Sequence, residues 1–140
     1  MNSLLDTNVV SEWVKPRPDP GVITWLAEVD EDRVFLSVVT LAELRYGIER
    51  MPAGARRNRL DLWLREELPL RFTGRILPVT PAVAEAWGYV AARSQAGGRT
   101  MSIMDTFLAA TAEVHGLTMV TRNVADFSVL GHSVLNPWTA

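Results

Sequence analysis

Cysteine is missing from this chain of 140 residues, which also has one lysine and two histidines. Without cysteine there are no disulfides, thiolate zinc sites or cysteine nucleophiles. Two histidines and the lack of an HExxH motif disfavour a histidine-bound zinc site and a serine triad. GxGxxG, GxSxG and P-loop motifs are missing as well. These absences disfavour the usual dinucleotide, nucleoside-triphosphate and thiol-dependent enzymes.

The sequence also lacks a long hydrophobic run. No apolar stretch approaches the roughly 18 residues that a membrane span requires. The first six residues have neither the basic start nor the apolar stretch of a secretory signal. We therefore expect a cytoplasmic protein without a membrane partner. Its length predicts a single domain over residues 1–140, and a hydrophobic content of 48% is enough for one core.

Positive charge is concentrated in residues 56–75, which contain six arginines and three acids. Guanidinium groups match the geometry of phosphate, so this segment is a candidate nucleic-acid contact. The alternative is a solvated helix face on which Arg57, Asp61 and Arg65 form an i,i+4 ladder. Arg71 and Arg75 are the two arginines that this ladder explains least.

Short apolar strands alternate with helical patterns along the whole chain. This alternation predicts an α/β sandwich with a mainly parallel sheet. The predicted strands are residues 3–6, 34–38, 75–79, 117–121 and 133–135. The predicted helices cover residues 7–14, 22–29, 41–51, a segment around 60–68 that closes at Pro69, 83–94, and 103–114 ending at Gly116.

Four acids fall at predicted junctions between strands and helices: Asp6, Glu43, Asp105 and Asp126. In open parallel sheets the ligand crevice lies outside the carboxyl ends of the strands, so distant junction residues can converge there. Glu43 and Asp105 have no basic partner on their own helices. Each acid also has a purely structural alternative. Glu43 could form a capping box with Thr40, and Asp105 could form one with Ser102. Asp6 could be an N-cap, and Asp126 could form an ion pair with Arg122.

Convergence of these acids would favour a cation. Two carboxylates about 4 Å apart repel by roughly 4 kcal/mol at an effective dielectric constant near 20. Magnesium takes oxygen ligands and bridges carboxylates to phosphate oxygens. An acid cluster of this kind is typical of metal-assisted phosphodiester hydrolysis.

Four blocks of the sequence form a further pattern: LLDTNVV at 4–10, SVVTLAELRYG at 37–47, DTFLAATA at 105–112, and VTRNVADF at 120–127 with NPW at 136–138. In this order they resemble the PIN-domain family, and within it the VapC-type toxin ribonucleases of bacterial toxin–antitoxin pairs. The resemblance runs from end to end. It implies a five-stranded parallel sheet in an α/β/α sandwich, a Mg²⁺- or Mn²⁺-dependent endoribonuclease, a homodimer, and inhibition by a small VapB-like antitoxin in a heterotetramer or larger assembly.

The resemblance also implies roles for individual residues. Asp6, Glu43 and Asp105 match the three core acids, which are expected to act in catalysis and to hold the metal, Glu43 either directly or through water. The fourth acidic position falls on Asp126 first and Asn123 second. The expected supporting residues are Thr7, Asn8, Thr121 and Asn123.

The expected reaction is attack of water on a phosphodiester, which leaves a 5′-phosphate and a 3′-hydroxyl. Sequence-specific RNA sites usually lie in unpaired loops, so we expect cleavage in a loop of a structured RNA such as tRNA or rRNA. The proposed RNA contacts are Arg71, Arg75, Arg45 and Arg122. One alternative is a phosphatase with Asp6 as nucleophile, which the missing downstream lysine disfavours. The other is a catalytically silent PIN-like module that binds RNA or protein, which the three retained acids disfavour.

Overall fold

The computed structural model describes residues 1–138 as one five-stranded sheet with helices on both faces. All of its strand pairs are parallel, in the order β3-β2-β1-β4-β5. The strands are β1 (Ser3–Leu5), β2 (Val34–Ser37), β3 (Ile76–Leu77), β4 (Thr118–Val120) and β5 (Val134–Leu135). The expected parallel α/β sandwich is therefore confirmed.

Helices connect the strands and cover both faces of the sheet. They are α1 (Thr7–Glu12), α2 (Pro20–Glu28), α3 (Val38–Glu49), α4 (Ala55–Leu62), α5 (Leu68–Arg71), α6 (Pro81–Ala96), α7 (Ile103–His115) and α8 (Val124–Ser128). A 3₁₀ turn at Glu31–Arg33 precedes β2, and a π-helical turn at Trp63–Glu67 joins α4 to α5. Within residues 1–138 no helix is long and apolar enough to cross a membrane.

Alternate residues of the central strands supply two hydrophobic cores. Leu5 and Val120 pack with α1 to α5 on one face, whereas Leu4 and Met119 pack with α6 and α7 on the other. Successive side chains of a strand point to opposite faces, so a strand buried on both sides reads as a continuous apolar run. This accounts for the short, unbroken apolar strands of the sequence and for the three layers.

The prediction that the arginine-bearing helix closes at Pro69 is wrong. The chain continues in helical form to Arg71, because the π turn lets the amide of Leu68 bond to the carbonyl of Trp63. Pro69 then lies just after the π turn, at the second position of α5. The short helix α8 was not predicted. The end of α7 is as expected, with Gly116 in the left-handed conformation at φ 65°.

Candidate active site

The central position of β1 brings three strand ends together. Because β2 and β4 flank β1, the residues that follow these three strands meet at one edge of the sheet. Asp6 follows β1, Glu43 lies in α3 after β2, and Thr121 follows β4. The amide of Asp6 donates to the carbonyl of Val120 at 2.9 Å, which extends the pairing of β1 with β4 as far as this carboxylate.

Asp6 is buried and both of its carboxylate oxygens accept hydrogen bonds. Oδ1 accepts from the amide of Thr7 at 2.7 Å, so Asp6 is indeed the N-cap of α1. Oδ2 accepts from Oγ1 of Thr121 at 2.7 Å and has a longer contact with Nδ2 of Asn8 at 3.4 Å. Burial raises the pKa of Asp6 against these hydrogen bonds, and the charge of Glu43 raises it further.

Glu43 is held across the site by Thr7. Oγ1 of Thr7 donates to Oε1 of Glu43 at 2.6 Å and lies 3.2 Å from Oγ1 of the buried Thr40. The capping-box alternative for Glu43 is wrong, because α3 starts earlier than that alternative requires. Its N-cap is Ser37, whose hydroxyl accepts from the amide of Val39, so Thr40 lies inside the helix. Glu43 is consequently left to face the site, and Thr40 is a site neighbour that the sequence had suggested only as a cap.

Asp105 lies in the first turn of α7 and its carboxyl group is half-buried. The expected cap is confirmed, since the amide of Asp105 donates to Oγ of Ser102 at 3.1 Å. Burial raises the pKa of Asp105 to about 6, and the charges of Asp6 and Asp126 add to this effect while Ser102 opposes it. Asp105 is therefore in the electrostatic field of two other predicted acids, although they come from distant parts of the chain.

Both proposed occupants of the fourth acidic position lie in one hydrogen-bonded chain. Nδ2 of Asn123 donates to Oδ2 of Asp126 at 2.6 Å, and the amide of Asn123 donates to Oγ1 of Thr121 at 2.9 Å. The other oxygen of Asp126 forms an ion pair with Arg99. The suggested pairing of Arg122 with Asp126 is therefore wrong, and the guanidinium of Arg122 instead lies 5.6 Å from the ring centroid of Trp138.

The donor set suits a hard divalent cation. The charges of neighbouring acids raise the pKa of Asp6 and of Asp105, which is repulsion that a cation would relieve, and oxygen ligands are those that Mg²⁺ and Mn²⁺ prefer. Asn8 adds a buried Oδ1 that has no hydrogen-bond partner within residues 1–138. In that part of the chain no three His, Cys, Asp or Glu side chains lie close enough together to hold a metal ion as they stand.

The structure does not place Arg71 and Arg75 at this site. Nε of Arg71 binds Glu31 at 2.7 Å, and its guanidinium lies 4.3 Å from the ring centroid of Trp13. Arg75 donates to three main-chain carbonyls, one of them that of Val34 at the start of β2. These contacts lie at the amino ends of the strands, opposite the acids. The structure therefore does not support the expectation that these two arginines form the RNA contact, which stays a prediction.

The remaining arginines of the basic segment divide into paired and unpaired side chains. Asp61 binds Arg65 as the ladder predicted, but its second partner is Arg45, and Arg57 binds Glu49 instead. The unpaired members within residues 1–138 are Arg56 and Arg59. Arg56 lines a cleft of about 270 Å³ between α1, α3 and α4 that also contacts Thr7 and Glu43.

Comparisons with known proteins agree with this architecture. A family model described as "PIN domain" matches residues 3–131. The chain is 37% identical to "Toxin FitB" of Neisseria gonorrhoeae over 135 residues, covering 96% of this chain and 97% of that protein. It is 36% identical to "VapC ribonuclease Y4jK" of Sinorhizobium fredii over 135 residues, covering 96% of each.

Solved structures give the same result. The crystal structure of FitAcB from Neisseria gonorrhoeae contains a chain with a TM-score of 0.91 and 36% identity, covering 98% of this chain and 99% of that one. A second structure, described as a member of the VapBC family of toxin-antitoxin systems, VapBC-5, from Mycobacterium tuberculosis, has a TM-score of 0.65 and 28% identity, covering 96% and 95%.

Proposed function

The chain belongs to the PIN-domain family, and from this premise we propose that it is a VapC-type toxin that cleaves RNA with a divalent metal ion. The observation that carries the proposal is the convergence of Asp6, Glu43 and Asp105 from three separate elements, where the charge of Glu43 raises the pKa of Asp6 and the charge of Asp6 raises that of Asp105. The relatives named toxin and ribonuclease, which match nearly the whole chain, support the same function.

In this proposal Asp6 and Asp105 hold the metal ion, and Glu43 binds it directly or through water. Bound there, Mg²⁺ or Mn²⁺ would lower the pKa of a water ligand and neutralise charge on the scissile phosphate. The chain's own part is to position these acids. Thr121 and the amide of Thr7 orient the carboxylate of Asp6, and the hydroxyl of Thr7 orients Glu43.

We propose that the substrate is a structured RNA, cut in an unpaired loop of tRNA or rRNA. Attack by water produces a 5′-phosphate and a 3′-hydroxyl. The cleft next to Glu43 is lined by Arg56, which has no hydrogen-bond or ion-pair partner within residues 1–138, and this favours an approach of the phosphate backbone from that side. Lys15 lines the same cleft but is paired with Glu12. Arg45 is already bound to Asp61 and Glu49, which leaves it a weaker candidate for this contact.

We further propose that residues 1–140 act as one domain in the cytoplasm, as a homodimer that binds a small VapB-like antitoxin in a heterotetramer or larger complex. The relative described as a member of a toxin-antitoxin family supports this partner. Exposed apolar side chains around the site, among them Tyr46, Ile103 and Met104, supply surface that such an assembly would bury. Light scattering of the chain with and without the co-expressed antitoxin measures both steps.

The direct test is cleavage of a mixed RNA pool by the purified chain with Mn²⁺, followed by addition of a chelator. We expect cleavage that the chelator stops, products that carry 5′-phosphate, and no cleavage by Asp105→Asn. RNA binding without cleavage at any divalent metal concentration would contradict the proposal. That result would instead support the catalytically silent module.

A further inference from the structure

Asp126 is the predicted site acid that forms an ion pair with a basic side chain within residues 1–138. Oδ1 pairs with Nη1 of Arg99, and Oδ2 accepts from Asn123. A carboxylate whose charge is neutralised by a guanidinium is a poor ligand for a cation. The arrangement therefore suits a side chain that positions its partners.

Arg99 is held in place by its backbone as well as by this ion pair. Its amide donates to the carbonyl of Ser94 at 2.9 Å, and its carbonyl accepts from Oγ of Ser94 at 2.6 Å. Ser94 is buried near the end of α6. The segment that carries Arg99 then leads directly to Ser102, the cap of the helix that carries Asp105.

The rest of the guanidinium is available to a ligand. Nε and Nη2 of Arg99 have no hydrogen-bond partner within residues 1–138, and the side chain is 41% exposed. Asp126 is connected through Asn123 and Thr121 to the carboxylate of Asp6, so the cation that pairs with Asp126 lies at the end of a hydrogen-bonded chain from a core acid. A guanidinium that is fixed in place and whose Nε and Nη2 have no partner within residues 1–138 can donate two hydrogen bonds to phosphate oxygens.

We propose that Arg99 binds a phosphate oxygen of the RNA at the cleavage site, and that Asp126 is the positioning residue that holds its guanidinium there. The proposal rests on the proposed ribonuclease function. It assigns to Asp126 the orientation of Arg99 and Asn123 in place of metal binding. It also places a positive side chain on the side of the site that faces away from the cleft at Glu43.

The variants that test this are Arg99→Gln, Arg99→Lys and Asp126→Asn, each in an Asp105→Asn background that prevents turnover during binding. Arg93→Gln is the matched control, because Arg93 forms a comparable ion pair with Glu113, which is not among the predicted site acids. Salt titration of the affinity for a single-stranded RNA counts phosphate contacts, since each contact contributes about 0.7 to the logarithmic slope.

We expect Arg99→Gln to weaken RNA binding roughly tenfold, the low end for a charge-assisted hydrogen bond, and to reduce the slope by about 0.7. Arg99→Lys should keep the slope because it keeps the charge. Asp126→Asn should also keep the slope, but in the otherwise wild-type chain it should lower kcat more than it raises KM. Arg93→Gln should match its parent in every measurement.

Two results would overturn the inference. The salt dependence of RNA affinity could be the same with and without Arg99, while Arg99→Gln and Asp126→Asn lower the melting temperature equally. The ion pair would then only stabilise the contact between its two segments. A metal-dependent rise in melting temperature that Asp126→Asn abolishes and Arg99→Gln preserves would make Asp126 a metal ligand. If wild-type protein neither binds nor cleaves RNA, the proposed function itself fails, and this is distinguishable from both results.

Discussion

At the scale of single residues, the carboxylates of this site combine a structural and a chemical role. One oxygen of Asp6 caps α1 while the other accepts from Thr121. The amide of Asp105 is capped by Ser102, and its carboxylate has no basic partner within residues 1–138. A helix cap is worth about 1 kcal/mol. An Asn or Gln side chain in place of the acid can keep much of the capping hydrogen bond. It cannot carry the negative charge that a metal site requires.

This difference yields the first prediction. Asp6→Asn, Glu43→Gln and Asp105→Asn should each reduce RNA cleavage at least about a hundredfold, the usual loss when one charged group of an active site is removed. The free energy of unfolding should change by about 1 kcal/mol or less. Single-turnover cleavage at saturating RNA and metal measures the first quantity, and urea unfolding the second.

Asp61→Asn is the matched control for this series. Asp61 is an acid of α4 that binds Arg45 and Arg65, and it is not among the predicted site acids. Its replacement should leave the cleavage rate unchanged. Any one of the three site variants that retained most of the wild-type rate would show that its residue is not a core acid.

The raised pKa of Asp105 gives a second prediction, for the metal-free protein. Because the folded pKa is about 6 and the ordinary value is 3.8, Asp105 contributes stability that is present below pH 3.8 and lost as the pH rises through 6. Asp105→Asn removes the buried charge. It should therefore melt at a higher temperature than wild type above pH 6.5, and the two curves should approach each other toward pH 4.

Differential scanning calorimetry with a chelator, at pH values from 4 to 8, measures this convergence. Asp61→Asn again serves as the control, since the pKa of Asp61 is lowered, mainly by its hydrogen bond to Arg45. That variant should show no gain in melting temperature at high pH. A constant difference between Asp105→Asn and wild type across the whole range would contradict burial of a repelled charge at position 105.

At the scale of secondary-structure elements, the arginine-bearing segment shows why a charge pattern does not identify a binding surface. Helices α4 and α5 are continuous through a π turn, so the arginines spread over different faces. Those at 57, 65, 71 and 75 find protein partners, whereas Arg56 and Arg59 do not within residues 1–138. Tertiary contacts thus decide which arginines are bound to protein groups and which could contact RNA.

The third prediction separates these two groups by substitution. Arg75→Gln should lower the free energy of unfolding by about 1–3 kcal/mol, because carbonyls that a charged donor now satisfies lose it. The salt dependence of RNA affinity should stay as in wild type. Arg56→Gln with Arg59→Gln should change stability by less than about 0.5 kcal/mol and flatten that salt dependence.

Urea unfolding and salt titrations in the Asp105→Asn background measure the two effects of these arginine variants. The single variant and the double variant serve as controls for each other, since all three side chains belong to one basic segment. A flatter salt dependence in Arg75→Gln, without loss of stability, would restore the original expectation that the end of this segment contacts RNA.

At the scale of the whole molecule, the order of the strands assembles the site. β1 lies between β2 and β4, so Asp6 is next to the ends of both neighbours, and α7 brings Asp105 to the same edge before the chain enters β4. Asp6 and Asp105 are 99 residues apart in sequence, yet the charge of Asp6 raises the pKa of Asp105. The folded chain therefore carries repulsion that a bound cation would relieve.

The fourth prediction follows from that stored repulsion. A ligand that binds only the folded state stabilises it by mass action, so millimolar Mg²⁺ or Mn²⁺ should raise the melting temperature of wild-type protein by several degrees. Asp105→Asn should blunt this rise, and Asp61→Asn should not. A melting curve that does not change with metal, both alone and in the presence of a non-cleavable RNA, would contradict a metal site.

Local sequence patterns were sufficient for most of the fold. Buried strands read as apolar runs, helices repeat every three to four residues, and Gly116 marks the end of α7, since these features depend on neighbours along the chain. The sequence could not predict the π turn that carries the helix past Pro69. It also missed α8, a single helical turn of five residues whose local pattern is too short to show a period.

The sequence by itself identified Asp6, Glu43 and Asp105 as acids at the ends of elements in a parallel α/β protein. Whether an acid serves as a cap or faces a site depends on where its helix begins and on which elements pack beside it. Only the tertiary structure shows that Ser37, and not Thr40, is the N-cap of α3, and that Asp126 forms an ion pair with Arg99. The contacts of Asp126 with Arg99 and of Thr7 with Glu43 join residues 27 or more positions apart. The cap at Ser37 depends on where β2 ends. Neither can be predicted from the spacing of residues along the chain.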